Sequence, residues 1–283
     1  MFEFYRRSVY ILLIAFVISA SWGCNIINPQ EKIPTYIHID SFVLDGGKLH
    51  DINNVTVYYD GRSVGSFDLP CTIPVITTGP TGKLELAPGI LVNGRNDRPL
   101  TYPFYKMAIS TLNEQPGKIV YLTPSTSYYD SVKVTVISDF EAGITKFAKW
   151  GGTTSLVAVT ADSLKLEGTA SGAVFLNTFS DSSIDSTIHA FPIRTGAAFI
   201  EFDYRSSTPF AIGLQAKLGT TYTSGIAYMA GIYPSDGWHK FYLNVTGFVS
   251  QYPADSYNMY IKAALDGRTS GRLLIDNIKL VTF

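Results

Sequence analysis

Two acidic side chains in the second half of the sequence have a spacing that could support catalysis. Glu201 and Asp203 lie two residues apart in a segment rich in strand-forming residues, so both side chains would point to one face of a strand. Paired carboxylates in that position could act as the acid and base of a glycoside hydrolase. The next residue on the same face is Arg205, which we expect to form a structural ion pair with one of the two acids. Hydrolysis by this pair is therefore not favoured.

Other catalytic patterns in the sequence are weaker still. The run Gly61-Arg62-Ser63-Val64-Gly65 matches the G-x-S-x-G nucleophile pattern, but that pattern requires a strand–turn–helix elbow and here falls in a predicted β-hairpin. The four histidines are scattered without the spacing of a metal site. No phosphate-binding glycine loop is present. We therefore predict that the protein is not an enzyme.

Aromatic side chains form the second group that could do chemistry, because their faces stack on sugar rings. Trp150 and Tyr222 lie in segments rich in Gly and Thr, where a role in the core is a weaker explanation. Together with Tyr228 they are the predicted ligand-binding residues. Simple packing of the loops against the body of the protein is the alternative.

The N-terminal segment has the pattern of an export signal. Arg6 and Arg7 precede an apolar run from Val9 to Ala20, which is the length of a signal-peptide h-region. Such a run is too short to cross a bilayer, which takes about 20 residues. Ser21-Trp22-Gly23-Cys24 then places small residues before a cysteine.

This segment resembles the lipobox of bacterial lipoproteins. The resemblance implies a signal peptide over residues 1–23, a covalent lipid on Cys24 with acyl chains such as palmitate that anchor the protein in the lipid bilayer, and a lipidated tether over residues 24–34. An ordinary secretory signal with an incidental Cys24 is the alternative. The segment predicts a location in the outer membrane. Asn25-Ile26-Ile27-Asn28 lacks the acidic cluster of one surface-export tag, so the membrane face, periplasm or cell surface, is left open.

Composition favours an all-β protein without a nucleic-acid partner. The formal net charge is −1, so no basic excess is available to neutralise phosphates. Aromatic residues make up 13% of the chain and charged residues only 16%, which favours sheets with short turns over exposed helices.

The order of predicted strands divides the chain into two units. Seven or so short strands over residues 35–137 predict an N-terminal immunoglobulin-like β-sandwich. They include a hairpin around Asp60-Gly61, and Tyr128–Val136 is expected to close the set. Residues 138–283 show about nine strands, among them Ser163–Glu167, and no helical periodicity, which predicts a C-terminal β jelly roll.

Four short motifs in the second unit resemble jelly-roll, galactose-binding-like carbohydrate-binding modules. In chain order they are Asp139-Phe140-Glu141, Phe199-Ile200-Glu201-Phe202-Asp203-Tyr204-Arg205, Asp236-Gly237-Trp238-His239-Lys240-Phe241 and Ile275-Asp276-Asn277-Ile278-Lys279-Leu280. The resemblance covers about half of the chain. It implies non-catalytic glycan binding.

The same resemblance implies a structural calcium ion. In these modules an acid on the first strand and an acid on the last often ligate Ca²⁺, and Glu141 and Asp276 hold those places here. Hard carboxylate oxygens suit that ion. The alternative is that Asp276 caps a turn and Glu141 is solvated.

Two functions are consistent with this sequence. One is glycan binding through the jelly roll; the other is an accessory subunit of an outer-membrane transport or assembly complex that binds protein partners. A ligand module should bring two or three aromatic side chains together in one groove. A subunit should instead show an apolar patch larger than about 300–600 Å².

Overall fold

Strands dominate the part of the chain that the structure describes, which confirms the all-β prediction. The computed structural model describes residue 6 and residues 31–46, 49–95 and 99–283. Within these residues, no helix has the length and apolar character needed to cross a membrane. The predicted signal peptide and Cys24 lie outside the described residues.

The described residues of the first unit form ten strands and a 3-10 turn at Val92–Gly94. The strands are β1 (Thr35–Ile39), β2 (Val43–Leu44), β3 (Ile52–Tyr59), β4 (Arg62–Asp68), β5 (Cys71–Val75), β6 (Thr81–Leu91), β7 (Pro99–Thr101), β8 (Ala108–Asn113), β9 (Ile119–Leu122) and β10 (Ser125–Thr126). The predicted hairpin is confirmed, because β3 and β4 pair antiparallel across Asp60 and Gly61. Both turn residues have positive φ (47° and 73°), as a tight hairpin turn requires.

These strands form a five-stranded sheet, a three-stranded sheet and a two-stranded pair. The five-stranded sheet has the order β4–β3–β6–β7 with β8 also paired to β6, and the three-stranded sheet has the order β5–β1–β9. The pairings of β1 with β9 and of β2 with β10 are parallel. Ile37, Val55, Val57 and Leu84 are fully buried in one apolar core. The immunoglobulin-like character of residues 35–137 stays a prediction.

The second unit contains twelve strands, a 3-10 turn at Glu141–Gly143 and the short helix α1 (Thr246–Gln251). The strands are β11 (Lys133–Ser138), β12 (Phe147–Gly152), β13 (Val157–Val159), β14 (Ser171–Asn177), β15 (Ser182–Thr187), β16 (Ala198–Ser206), β17 (Phe210–Leu218), β18 (Thr221–Tyr222), β19 (Ala227–Ile232), β20 (Ser235–Asn244), β21 (Ser256–Ala264) and β22 (Ser270–Thr282).

The twelve strands form two six-stranded sheets that enclose one apolar core, a β-sandwich of the jelly-roll type. Sheet I has the order β13–β14–β22–β16–β20, with β11 also paired to β22. Sheet II has the order β12–β15–β21–β17–β18, with β19 also paired to β17. Period-two alternation aims Met259 and Ile261 of β21 into the core, so Tyr260 between them points to the outer face of sheet II.

Several strands differ from the sequence-based expectation. The strand predicted at Tyr128–Val136 was expected to complete the first unit, but the strand found there, β11, pairs with β22 of sheet I. No strand forms at Ser163–Glu167; an Asp162–Lys165 ion pair at 2.9 Å and a backbone bond from Leu164 N to Ala161 O close a turn there. Trp150, expected to lie in a loop, belongs to the strand β12. The predicted division of the chain into domains stays a prediction.

A buried polar cluster joins the first unit to the outer face of sheet I. Tyr102 and Tyr128 of the first unit donate to Glu201 of β16, at 2.6 Å to Oε1 and 2.7 Å to Oε2. Lys279 of β22 lies 3.2 Å from the same carboxylate. The Tyr102 ring also packs edge-on against Phe199, with centroids 5.2 Å apart. The two units therefore share a packed and hydrogen-bonded joint as well as a chain connection.

Candidate functional site

The outer face of sheet II carries four aromatic side chains, which we call the aromatic face. They come from four different strands: Trp150 from β12, Tyr222 from β18, Tyr228 from β19 and Tyr260 from β21. The three predicted ligand-binding residues thus lie on the same face. The fourth, Tyr260, is one that sequence reasoning missed.

Trp150 lies at the centre of this face. Its ring meets Tyr260 edge-on at 5.6 Å and Tyr222 edge-on at 6.4 Å between centroids. The register of β12 against β15 shifts between Lys149 and Gly151, so Trp150 is the extra residue of a bulge. A bulge redirects the side chain of its extra residue, and Trp150 remains 54% exposed. A half-exposed indole held from two sides can offer a free ring surface to a ligand.

The Tyr260 ring packs against Trp150 and lies beneath it on the sheet. Its side chain is completely buried although it points away from the core, because Trp150 and its neighbours cover it. The hydroxyl donates to Gln215 Oε1 at 2.6 Å. Burial raises the pKa of Tyr260 to about 12, so the phenol stays protonated and keeps this bond at neutral pH.

Tyr228 lies on the far side of a glycine from Tyr260. Both residues are paired with Gly213 of β17, Tyr228 through β19 and Tyr260 through β21. A Cβ atom on Gly213 would lie 3.1 Å from Cδ1 of Tyr228, which is tighter than ordinary contact. The absence of a side chain at Gly213 thus lets the Tyr228 ring lie close to the sheet. Tyr228 is 41% exposed.

Two lysines border the aromatic face. Lys217 Nζ lies 5.7 Å from the centroid of the Tyr222 ring, and Lys262 Nζ lies 5.6 Å from that of Tyr228. These distances are within the range of cation–π contacts. Sequence reasoning missed both lysines; the alternation of β17 and β21 was the signal that places them on the outer face.

Three further aromatic residues of the second unit do not join this group. Tyr233 lies in the turn between β19 and β20, and Tyr204 packs against the core. Trp238 is half-buried, with the Arg205 guanidinium 5.8 Å from its ring centroid. The convergence is specific to Trp150, Tyr222, Tyr228 and Tyr260.

The paired acids Glu201 and Asp203 form ion pairs, but not with Arg205 as expected. Lys279 and Lys240 stand opposite them on the neighbouring strands, and Lys240 Nζ lies 2.7 Å from Asp203 Oδ1. Directly opposed residues are closer than residues two apart on one strand. Arg205 instead donates to Ser163 O at 2.7 Å.

The two acids also face different surroundings. Asp203 lines a cleft of about 750 Å³ between the two units, together with Tyr128, Lys240, Asn277 and Lys279. Glu201 does not line this cleft and has no exposed surface. The pair therefore cannot act from two sides on one glycosidic bond.

The predicted calcium ligands Glu141 and Asp276 both have protein donors. Glu141 accepts bonds from the backbone N–H and the hydroxyl of Thr169, which lower the pKa of its carboxyl. Asp276 is buried and accepts from Ser171 Oγ at 2.6 Å and from Asn277 N at 2.8 Å. Among the residues described here, no three His, Cys, Asp or Glu side chains cluster as metal ligands. Calcium binding stays a prediction.

The buried Asp276 predicts a pH-dependent loss of stability. Burial raises its pKa from 3.8 to about 6, so between these pH values the folded protein holds a proton that the unfolded chain has released. Stability contributed by this group therefore falls as pH rises from about 4 to about 6. In EDTA, we expect Asp276→Asn to gain up to about 3 kcal/mol relative to wild type between pH 4 and pH 7. Urea unfolding at both pH values measures the difference, and a constant difference would show that Asp276 titrates normally.

Comparison with known proteins gives only remote likenesses. No family model and no curated protein matches the sequence. Among solved structures, the K2 cleaved adhesin domain of Lys-gingipain is 12% identical, with a TM-score of 0.37 over 55% of this chain and 99% of that one. CBM29_1, a family 29 carbohydrate binding module from Piromyces equi, is 10% identical, with a TM-score of 0.37 over 54% of this chain and 92% of that one.

A third similar structure is catalytic. The enzymatically active domain of bacteriophage CBA120 tailspike protein 4 is 8% identical, with a TM-score of 0.37 over 53% of this chain. The match spans only 19% of the tailspike chain. Structures with TM-scores this low give no information about the ligand of this protein. The candidate site is therefore defined by the geometry of the aromatic face alone.

Proposed function

We propose that this protein is a non-catalytic, lipid-anchored glycan-binding protein whose ligand lies across the aromatic face. The observation that carries the proposal is the contact of Trp150 with both Tyr222 and Tyr260, with the indole still 54% exposed. Sugar rings present apolar C–H faces that pack on such surfaces, and nearby hydroxyl and ammonium groups bond the sugar oxygens. The four jelly-roll motifs in the sequence support the same function.

The converging aromatics favour this function over the alternative, an accessory subunit of an outer-membrane complex. A ligand module was expected to bring two or three aromatic side chains together, and three exposed ones, Trp150, Tyr222 and Tyr228, share the aromatic face. The ion pairs of Glu201 and Asp203 favour a non-catalytic role, because each acid is neutralised by a buried or half-buried lysine.

Affinity electrophoresis of the full chain in mild detergent tests the proposal. Gels cast with individual polysaccharides should retard the wild-type protein in at least one case. The same gels should retard a Tyr222→Ala variant less, while a Tyr233→Ala variant should migrate like wild type, because Tyr233 lies outside the aromatic face. Equal migration of all three proteins in every gel would contradict the proposal.

The lipid anchor at Cys24 is part of the proposal and gives a prediction of its own. Two or more acyl chains on Cys24 would hold the protein stably on a membrane. In bacterial cells, Cys24→Ser should move most of the protein from the membrane pellet to the soluble fraction. Cys71→Ser is the matched control, because Cys71 lies in β5, and it should leave the protein in the pellet. Retention of Cys24→Ser in the pellet would contradict lipidation.

The first unit is proposed to act as an immunoglobulin-like spacer between the lipid and the jelly roll. Its joint to sheet I supports this role, because the Glu201 cluster fixes one unit on the other. Sheet I faces the spacer, and sheet II, with the aromatic face, lies on the opposite side of the sandwich. The lipid anchor and the spacer would then leave the aromatic face accessible to a ligand.

We also propose that calcium is the structural ion of the jelly roll. Glu141 and Asp276 would supply carboxylate oxygens, and the Thr169 and Ser171 hydroxyls that contact them are further oxygen donors. Calcium chloride should then raise the melting temperature of wild type and not that of Asp276→Asn. An equal response of both proteins would contradict the assignment.

A further inference from the structure

The aromatic face has a one-sided charge. Its two lysines, Lys217 and Lys262, lie over the rings of Tyr222 and Tyr228. The other residues that β15, β17 and β21 direct to this face are Ser, Ile, Ala, Gly, Gln, Asn and Tyr, so these three strands add no carboxylate to it. Asp255, just before β21, has its carboxylate bonded to Gly219 N at 3.1 Å.

The charged groups that the strands direct to this face are hydrogen-bond donors. Each lysine ammonium has three N–H donors and no acceptor. The side-chain amide of Gln215 is already used, because its oxygen accepts from Tyr260 and its nitrogen donates to Ser224 O. A ligand that pairs with these two ammonium groups must therefore bring acceptors, and negatively charged oxygens are the strongest acceptors for them.

The two lysines lie at opposite ends of the aromatic face. Lys262 is paired with Ala211 of β17, and Lys217 is six residues further along that strand. Six residues of strand correspond to about 20 Å. Trp150 lies between these ends, in contact with Tyr260 and Tyr222. The face can therefore take a chain of several sugar units with charges at separated positions.

We infer that the ligand is an acidic polysaccharide, whose carboxylate or sulfate groups pair with Lys217 and Lys262 while its rings lie against Trp150. This inference rests on the proposed function. A neutral sugar that stacks on Tyr222 or Tyr228 has to displace the ammonium group from the ring. An acidic sugar instead takes the ammonium as its partner. The attraction of an acidic polysaccharide would come from these two lysines and not from the net charge of the protein, since the whole chain has a formal net charge of −1.

Binding of the full chain in mild detergent to matched polymers tests the inference. The probes are a polyuronate, a sulfated polysaccharide, a neutral glucan of similar length and polyglutamate, which is a polyanion without sugar rings. We expect one of the two acidic polysaccharides to bind about tenfold more tightly than the neutral glucan, the sum of two exposed ion pairs. Raising the salt from about 50 mM to about 500 mM should remove this preference.

Variants of the two lysines locate the effect. The double variant Lys217→Ala, Lys262→Ala should lose the preference, so that it binds the acidic and the neutral polymer with equal affinity. Lys133→Ala, which removes an exposed lysine from β11 of sheet I, is the control for loss of a lysine outside the aromatic face, and it should behave like wild type.

Each contrary outcome has a distinct meaning. Equal affinity for acidic and neutral polysaccharides would overturn the inference and leave glycan binding standing. Equal binding of polyglutamate would also overturn it, because charge alone would then account for the preference. Binding to no polysaccharide would overturn the proposed function along with the inference.

Discussion

Replacing Trp150 with alanine is expected to weaken glycan binding by about 30-fold or more. The indole is the most central ring of the aromatic face, in contact with both Tyr260 and Tyr222. Truncating a central aromatic anchor of a binding site costs about 2 kcal/mol or more, which corresponds to about 30-fold in the dissociation constant. Biolayer interferometry with the polysaccharide that retards the protein measures the loss.

The fold should tolerate this change, which separates a binding defect from unfolding. Trp150 is half exposed on a bulge of the edge strand β12. Its replacement by alanine should therefore lower the free energy of unfolding by only about 1–2 kcal/mol. Trp150→Phe keeps a ring at this position and should recover part of the affinity. Phe179→Ala, in the turn between β14 and β15, is the control for loss of an exposed aromatic. Unchanged affinity of Trp150→Ala would place the ligand elsewhere.

Replacing Glu201 with alanine is expected to destabilise the protein by about 3–5 kcal/mol. The variant would leave the half-buried Lys279 without its carboxylate partner and the hydroxyls of Tyr102 and Tyr128 without their acceptor. Removal of one partner of a buried ion pair carries a cost of this size, because the remaining charge is no longer compensated. Burial already lowers the pKa of Lys279, and Glu201 opposes that effect. Urea unfolding monitored by circular dichroism measures the change.

Two further variants test the reason for this cost. Adding Lys279→Met to Glu201→Ala removes the uncompensated charge and should recover part of the lost stability. Asp130→Ala breaks an exposed ion pair with Lys106, at 2.7 Å, and should cost no more than about 1 kcal/mol. A Glu201→Ala variant as stable as Asp130→Ala would show that the joint between the units does not depend on this carboxylate.

Features of the fold that depend on local chemistry could be predicted from the sequence. The Asp60-Gly61 turn sets its own backbone conformation, so the hairpin of β3 and β4 follows from two residues. Most strands of the second unit follow from period-two alternation over six or more residues. The strand at Phe147–Gly152 could not be predicted, because its bulge at Trp150 interrupts the alternation.

Features that depend on the pairing of distant strands could not be predicted. Lys240 and Lys279 pair with Asp203 and Glu201 because β20 and β22 flank β16, and this order is set by the topology of the sheet. Tyr260 could not be predicted for the same reason, because its contact with Trp150 requires that β12 and β21 both flank β15. Trp150, Tyr222 and Tyr228 could be proposed individually from residue type and loop-like context, but their shared face could not.

Hydroxyl-radical footprinting with and without the bound polysaccharide shows whether the aromatic face is the glycan-binding site, because it reports on individual side chains. We expect the ligand to protect Trp150, Tyr222 and Tyr228 from oxidation. Phe179 and Tyr233, which are 92% and 83% exposed, should stay reactive and serve as internal references. Protection confined to Tyr128 and other residues of the cleft between the units, with Trp150 and Tyr222 still fully reactive, would contradict the account.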